Sequence, residues 1–94
     1  MTKAEVISII SDKTGVDKAV TSITVEAFFQ TVKESLSSGE AIYVRGFGSF
    51  VNKKRAEKKA RNISQKTTVT VPAHFIPSFK PSKEFVEEVK TNVK

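Results

Sequence analysis

Apolar residues in the first part of the chain recur at the three- and four-residue spacing of helices. Val6, Ile7, Ile9 and Ile10 follow Thr2-Lys3-Ala4-Glu5. That tetrad is a capping box, in which the Thr2 hydroxyl accepts from the Glu5 N–H while the Glu5 carboxylate reaches back. Gly15 is placed to end the segment in the left-handed region. The pattern predicts a first helix over residues 3–14. A second, over 18–38, takes Asp17 as its N-cap and carries Val20, Ile23, Ala27, Phe28, Val32 and Leu36, widened by Val25 and Phe29. Phe28 and Phe29 side by side cover more than one face, and a single short helix behind them cannot hide both. The surplus face is the expected seat of a partner subunit.

Beyond Ser37-Ser38-Gly39-Glu40 the period changes. Ile42 and Val44 alternate with Ala41, Tyr43 and Arg45, as in a strand. Gly46-Phe47-Gly48 reads as a tight turn and Phe50 continues beyond it. Val69 and Val71 alternate with Thr68 and Thr70 in a third strand, over 67–71. Pro72 and Pro77 make the strand region irregular or place it at an edge. Ser82 can cap a last helix from Lys83 to Thr91, with Phe85, Val86 and Val89 facing inward. Helices and strands are segregated, so the class is α+β. It is a helical hairpin base, a three-stranded antiparallel sheet with an extended β-ribbon arm, and a C-terminal helix. One domain spans 1–94, with a helical dimerisation part (1–40), the sheet and arm (41–82, tip near 60–67) and the last helix (83–94).

Charge changes this picture most between Lys53 and Lys66, where seven cations stand with one acid, Glu57. Nothing there can form a core, so the stretch reads as a basic arm. From Arg45 to Lys83 there are ten Lys/Arg and one acid, a net +9; the rest carries six bases and nine acids, a net −3. A basic half on a near-neutral body points to a docking surface for a polyanion. Ninety-four residues with no cysteine leave neither disulfide nor thiolate metal site to brace a thin core. Oligomerisation is the remaining brace. The N-terminus lacks the apolar run of a signal peptide, and no segment is long enough to span a membrane. The expected location is cytoplasmic.

Other chemistries find little support. His74 is the single histidine, without a second metal ligand nearby in sequence or an obvious nucleophile to serve, and reads as a strand residue. Glu84, Glu87 and Glu88 read as a solvated patch. No paired carboxylates, Cys/His cluster or phosphate-cradling glycine loop indicates an enzyme, a cofactor or a small-molecule substrate. Phe47, Phe50 and Phe79 sit in apolar context, which favours packing over base stacking. Phe28, Phe29, Val32 and Leu36 join them as core or dimer residues. Lys13, Lys18 and Lys33 have acidic neighbours and read as solvated. Arg45 can serve the binding surface or a salt bridge.

Gly46-Phe47-Gly48-Ser49-Phe50, Arg55, Arg61-Asn62, Pro72-Ala73 and Pro77-Ser78-Phe79-Lys80-Pro81 together resemble the bacterial HU/IHF family of DNA-bending proteins. The similarity runs in order over nearly the whole chain. It implies an intertwined dimer whose sheets form a saddle and whose two ribbon arms enter the minor groove of double-stranded DNA. In that family a proline at each arm tip wedges between base pairs, a mode for which the family is itself a standard example. Here the tip reads Arg61-Asn62-Ile63-Ser64-Gln65-Lys66. Ile63 stands at the proline position, Lys66 at the turn glycine, and Ala60 where glycine is common. Wedging needs an apolar side chain, which makes Ile63 the expected wedge.

The DNA-contacting set is then Lys53, Arg55, Lys58, Lys59, Arg61, Asn62, Ile63, Ser64 and Lys66 on the arm, Lys80 and Lys83 beside the saddle, and Lys3 on the first helix. Lys53, Arg55, Lys59 and Arg61 are all odd-numbered and share one face if no bulge intervenes. The expected function is architectural: low-specificity minor-groove binding, bending and compaction of DNA in the nucleoid. The expected partners are double-stranded DNA and a second copy or a paralogue, with no membrane. Competing readings are a site-specific IHF-type subunit of a heterodimer, RNA binding, and a basic arm for acidic proteins or anionic membrane.

Overall fold

A computed structural model describes residues 1–62 and 67–93. α1 (Lys3–Thr14) begins at the expected cap: the Thr2 hydroxyl accepts from the Glu5 N–H and donates to Glu5 Oε1, each at 3.3 Å. The box therefore closes between side chains. Gly15, at φ 73°, ends the helix with its N–H on the Ser11 carbonyl. α2 (Lys18–Ser37) departs from expectation at its start, because the Asp17 side chain makes no capping hydrogen bond. Asp17 is exposed, and water can serve both its carboxylate and the first helical N–H groups. Hydroxyls hold the corner instead. Ser11 Oγ donates to Val16 O at 2.7 Å, Thr21 Oγ1 donates to Asp17 O at 3.0 Å, and Thr14 Oγ1 accepts from the Val16 N–H at 3.2 Å.

Five strands follow: β1 (Ile42–Val44), β2 (Gly48–Arg55), β3 (Lys58–Asn62), β4 (Thr67–Val71) and β5 (His74–Pro81). β1, β2 and β5 form an antiparallel sheet in that order, and β3 pairs with β4 in a two-stranded ribbon. The expected third sheet strand at 67–71 is thus the returning limb of the arm, and the sheet is completed by β5. Pro77 obscures β5 in the sequence, yet β5 is an edge strand with a single neighbour, where a residue lacking an N–H is tolerated. It pairs with β2 along its whole length, from Gly48↔Pro81 to Arg55↔His74. The ribbon ladder runs from Lys58↔Val71 to Asn62↔Thr67. Between the ladders each side advances by the same three residues, so the break at Ala56-Glu57 and Pro72-Ala73 contains no bulge. α3 (Lys83–Asn92) starts at Ser82, whose side chain accepts from the Phe85 N–H.

Six of the seven phenylalanines join these elements. Phe47 lies 5.0 Å from Phe79 and 5.2 Å from Phe85 between ring centroids, Phe50 lies 5.3 Å from Phe79, and Phe28 lies 6.1 Å from Phe50 and 5.7 Å from Phe29. The β1–β2 turn is held by Phe47 N–H donating to Val44 O, and Phe47 O accepts from the Ser82 N–H at 2.9 Å. Asn52 Nδ2 donates to Leu36 O at 2.8 Å, tying the end of α2 to the sheet.

The core within one chain is nevertheless thin: Ile7 and Leu36, at 6% and 9% exposure, are its buried apolar residues among those described. Phe28 and Phe29 remain 46% and 47% exposed, as the crowded α2 pattern implies. Val86 and Val89 of α3 are exposed too, against the expectation that they face inward, because the described residues of the same chain cover that face only sparsely. The radius of gyration is 18.8 Å, where a compact chain of this length has about 12 Å.

Gly48 permits the closest approach in the sheet. A Cβ there would stand 2.5 Å from Lys80 O and 2.8 Å from the Phe79 ring. The backbone atom cannot yield as a flexible side chain does. Gly48→Ala is expected to destabilise the fold by about 1–3 kcal/mol, the usual cost of overpacking. Chemical denaturation at fixed protein concentration checks this; an unchanged midpoint would remove Gly48 from its role.

Candidate nucleic-acid interface

Strand alternation sorts the sheet into two faces. Phe50, Asn52, Phe79 and Pro77 share the face that meets α2 and the aromatic cluster. The opposite face carries Ser49, Val51, Lys53 and Arg55 on β2 and Lys80, Ser78, Ile76 and His74 on β5, as their pairing requires. Tyr43, paired with Ser49, belongs to this second face and is 77% exposed. Three of the expected contact residues, Lys53, Arg55 and Lys80, therefore stand on one side of the sheet, turned away from the helices.

The pairing keeps the same offset in the ribbon as in the sheet. Lys59 and Arg61 continue the odd-numbered positions of β2, and Lys58 joins Lys54 in the other row. With about 3.4 Å per residue, Arg55 to Asn62 extends the surface by roughly 24 Å, in keeping with a molecule 58 Å long and 33 Å and 29 Å across. Arg61 and Asn62 have their backbones in β3. Ile63, Ser64 and Lys66 lie outside the described residues.

Lys53, Arg55, Lys59 and Lys80 are exposed, and none of the four has an ion-pair partner among the described residues. Arg45, in the β1–β2 turn, has none either among the described residues. Lys83 is the first residue of α3, beside free helical N–H groups that also favour an anion. Lys3 differs, since its ammonium is paired with Glu26 on α2 and both side chains are about half exposed. A surface pair of this kind is worth little and can be exchanged for a phosphate.

The register brings two further residues to this face, Tyr43 and His74. Tyr43 was visible as the polar-side neighbour of Ile42 and Val44. His74 was readable as a strand residue, but its place opposite Arg55 follows from β5, which the prolines hide. Among the described residues no group of His, Cys, Asp and Glu is arranged to hold a metal ion, and no helix is long and apolar enough to cross a membrane.

A profile described as bacterial DNA-binding protein matches residues 1–90. The chain belongs to that family, the HU/IHF proteins. Among family relatives it is 39% identical over 90 residues to the SPbeta prophage-derived DNA-binding protein HU 2 of Bacillus subtilis, covering 96% of this chain and 98% of that protein. It is 37% identical over 95 residues to integration host factor subunit beta of Marinobacter nauticus, covering 100% of this chain and 97% of that subunit. In structure it superposes on HU from an Anabaena HU–DNA cocrystal with a TM-score of 0.89 at 31% identity, covering 95% of this chain and 97% of that one. The HU/IHF fold thus accounts for the half-built core and the projecting ribbon together.

Glu26→Gln tests how firmly Lys3 is held. The variant is expected to change stability by no more than about 1 kcal/mol, as for an exposed pair. A larger loss in thermal melts would make the Lys3–Glu26 pair structural and remove Lys3 from the contact set.

Proposed function

We propose that this protein is an architectural DNA-binding protein, acting as a dimer, that binds the minor groove with low sequence specificity and bends the duplex. The observation that carries this reading is the row of unpaired cations on one face of an in-register sheet and ribbon. A face of that kind neutralises phosphates and releases their counterions, so affinity falls with salt with a log–log slope of about −0.9 per phosphate. Lys53, Arg55, Lys58, Lys59 and Lys66 on the arm, with Lys80, Lys83 and Lys3 on the body, supply that term. Arg61, Asn62 and Ser64 donate to minor-groove acceptors, which separate A·T from G·C and little more. Ile63 from each arm opens a base step. The bend brings more duplex against the body, and those contacts offset a deformation cost of a few kcal/mol.

The apolar faces left open on α2 and α3 support the dimer. Parts 1–40, 41–82 and 83–94 then serve as dimerisation base, DNA-binding sheet and arm, and flanking helix. The protein would sit on the nucleoid, compacting DNA and assisting the complexes that replicate, recombine and transcribe it. A second reading, an IHF-type subunit with a paralogous partner and a preferred site, is favoured by the likeness to integration host factor subunit beta along the whole chain.

The test is end-to-end FRET on a labelled duplex of about thirty-five base pairs, long enough to span a bent site, titrated at several salt concentrations beside Ile63→Ala. Wild type is expected to raise FRET with a steep salt dependence. Ile63→Ala is expected to bend less while keeping the slope. Salt-sensitive binding without any FRET change would leave a phosphate binder that does not bend DNA. Strong preference for one duplex sequence would favour the IHF-type reading.

A further inference from the structure

His74 is a further member of the face that carries the cations. It pairs across the ladder with Arg55 on the cation-bearing face, one step along that face from Lys53, and its side chain is exposed. Its Nδ1 is 2.9 Å from Pro72 O. A carbonyl only accepts, so Nδ1 carries the hydrogen and donates it. The neutral ring then presents Nε2 as a bare acceptor, which a phosphate oxygen cannot use. Protonation turns Nε2 into an N–H donor and adds a positive charge beside Arg55 and Lys53. The charged positions that the register places beside His74 on that face are Arg55 and Lys53, and Glu57 follows Arg55 in the break. Glu57 forms no ion pair with His74, Arg55 or Lys53.

We propose that His74 is a proton-linked phosphate contact at the root of each arm, silent when neutral and engaged when protonated, so that DNA binding takes up protons below neutral pH. The proposal rests on the DNA-binding reading and adds a regulated member to the same surface. Histidine is the side chain that ordinarily changes charge between about pH 5 and 8, and this chain has only one. The phosphate favours the charged ring because it supplies the acceptor and countercharge that the cation-rich face lacks.

The experiment measures DNA affinity of the full-length protein against salt at about pH 5.5 and about pH 8. Wild type is expected to show a log–log slope steeper at the lower pH by about 0.9 for each His74 engaged. His74→Gln is expected to keep the shallower slope at both values. His74→Lys is expected to show the steeper slope at both. Thermal melts of each variant at both pH values separate a lost contact from a lost fold. His74→Gln retains every other ionisable group of the chain. A slope in wild type that does not change with pH, or a change that survives in His74→Gln, overturns the proposal. Absence of DNA binding by all three proteins at every pH would overturn the DNA-binding reading as well.

Discussion

The β2–β5 ladder is the constraint on which the remainder of the structure depends. It joins a strand that begins in the aromatic cluster to one that ends at α3, and its far end is the root of the arm. The same pairing offset holds on both sides of the break, so one choice of pairing sets the side on which Lys53, Arg55 and Lys80 stand. A one-residue slip would move the entire row to the opposite face. Gly48 guards the near end, where β5 passes too close for any side chain. Phe50 and Phe79, directly paired, fix which face turns toward the helices.

The second governing fact is that the chain encloses so little. A helical hairpin and a three-stranded sheet meet through phenylalanine rings, yet most of those rings keep substantial exposure. Burial by a partner would stabilise such a fold by roughly 25 cal/mol per Å² of apolar surface removed from water. Folding and association would then be one equilibrium. Polar residues contribute direction. The Asn52 side chain, reaching Leu36 O, holds the sheet over the end of α2 and so sets where the ribbon leaves the body.

Much of this was legible in the sequence, because it depends on local chemistry. Thr2, Glu5 and Gly15 mark α1, Ser82 marks α3, and the basic run marks the arm. The α2 pattern showed through Phe28 and Phe29 that one chain could not bury both. What stayed hidden depends on non-local pairing. Pro72 and Pro77 disguised β5, and without β5 the neighbour of Arg55 could not be known. Asp17 looked like a cap since nothing in sequence shows that Thr21, Ser11 and Thr14 hold that corner with hydroxyls. Val86 and Val89 have a helical apolar spacing that predicts burial but not by which chain. Lys66 was readable in the basic run, whereas Ile63 and Ser64 gained a place at the tip only through family resemblance.

The prolines that hid β5 have another effect. A chain with open apolar faces must find its proper partner before its strand edges find each other. A sheet edge is a row of unpaired amides ready to template association between molecules. Here one edge is the three-residue β1, and the other carries Pro77 and Pro81 together with Lys80. Short strands, prolines and lysines are the means by which natural sheets discourage edge-to-edge growth. The unpaired protomer is thereby left sticky through its helices and poorly suited to joining others through its sheet, which steers it toward a closed assembly and away from fibrils.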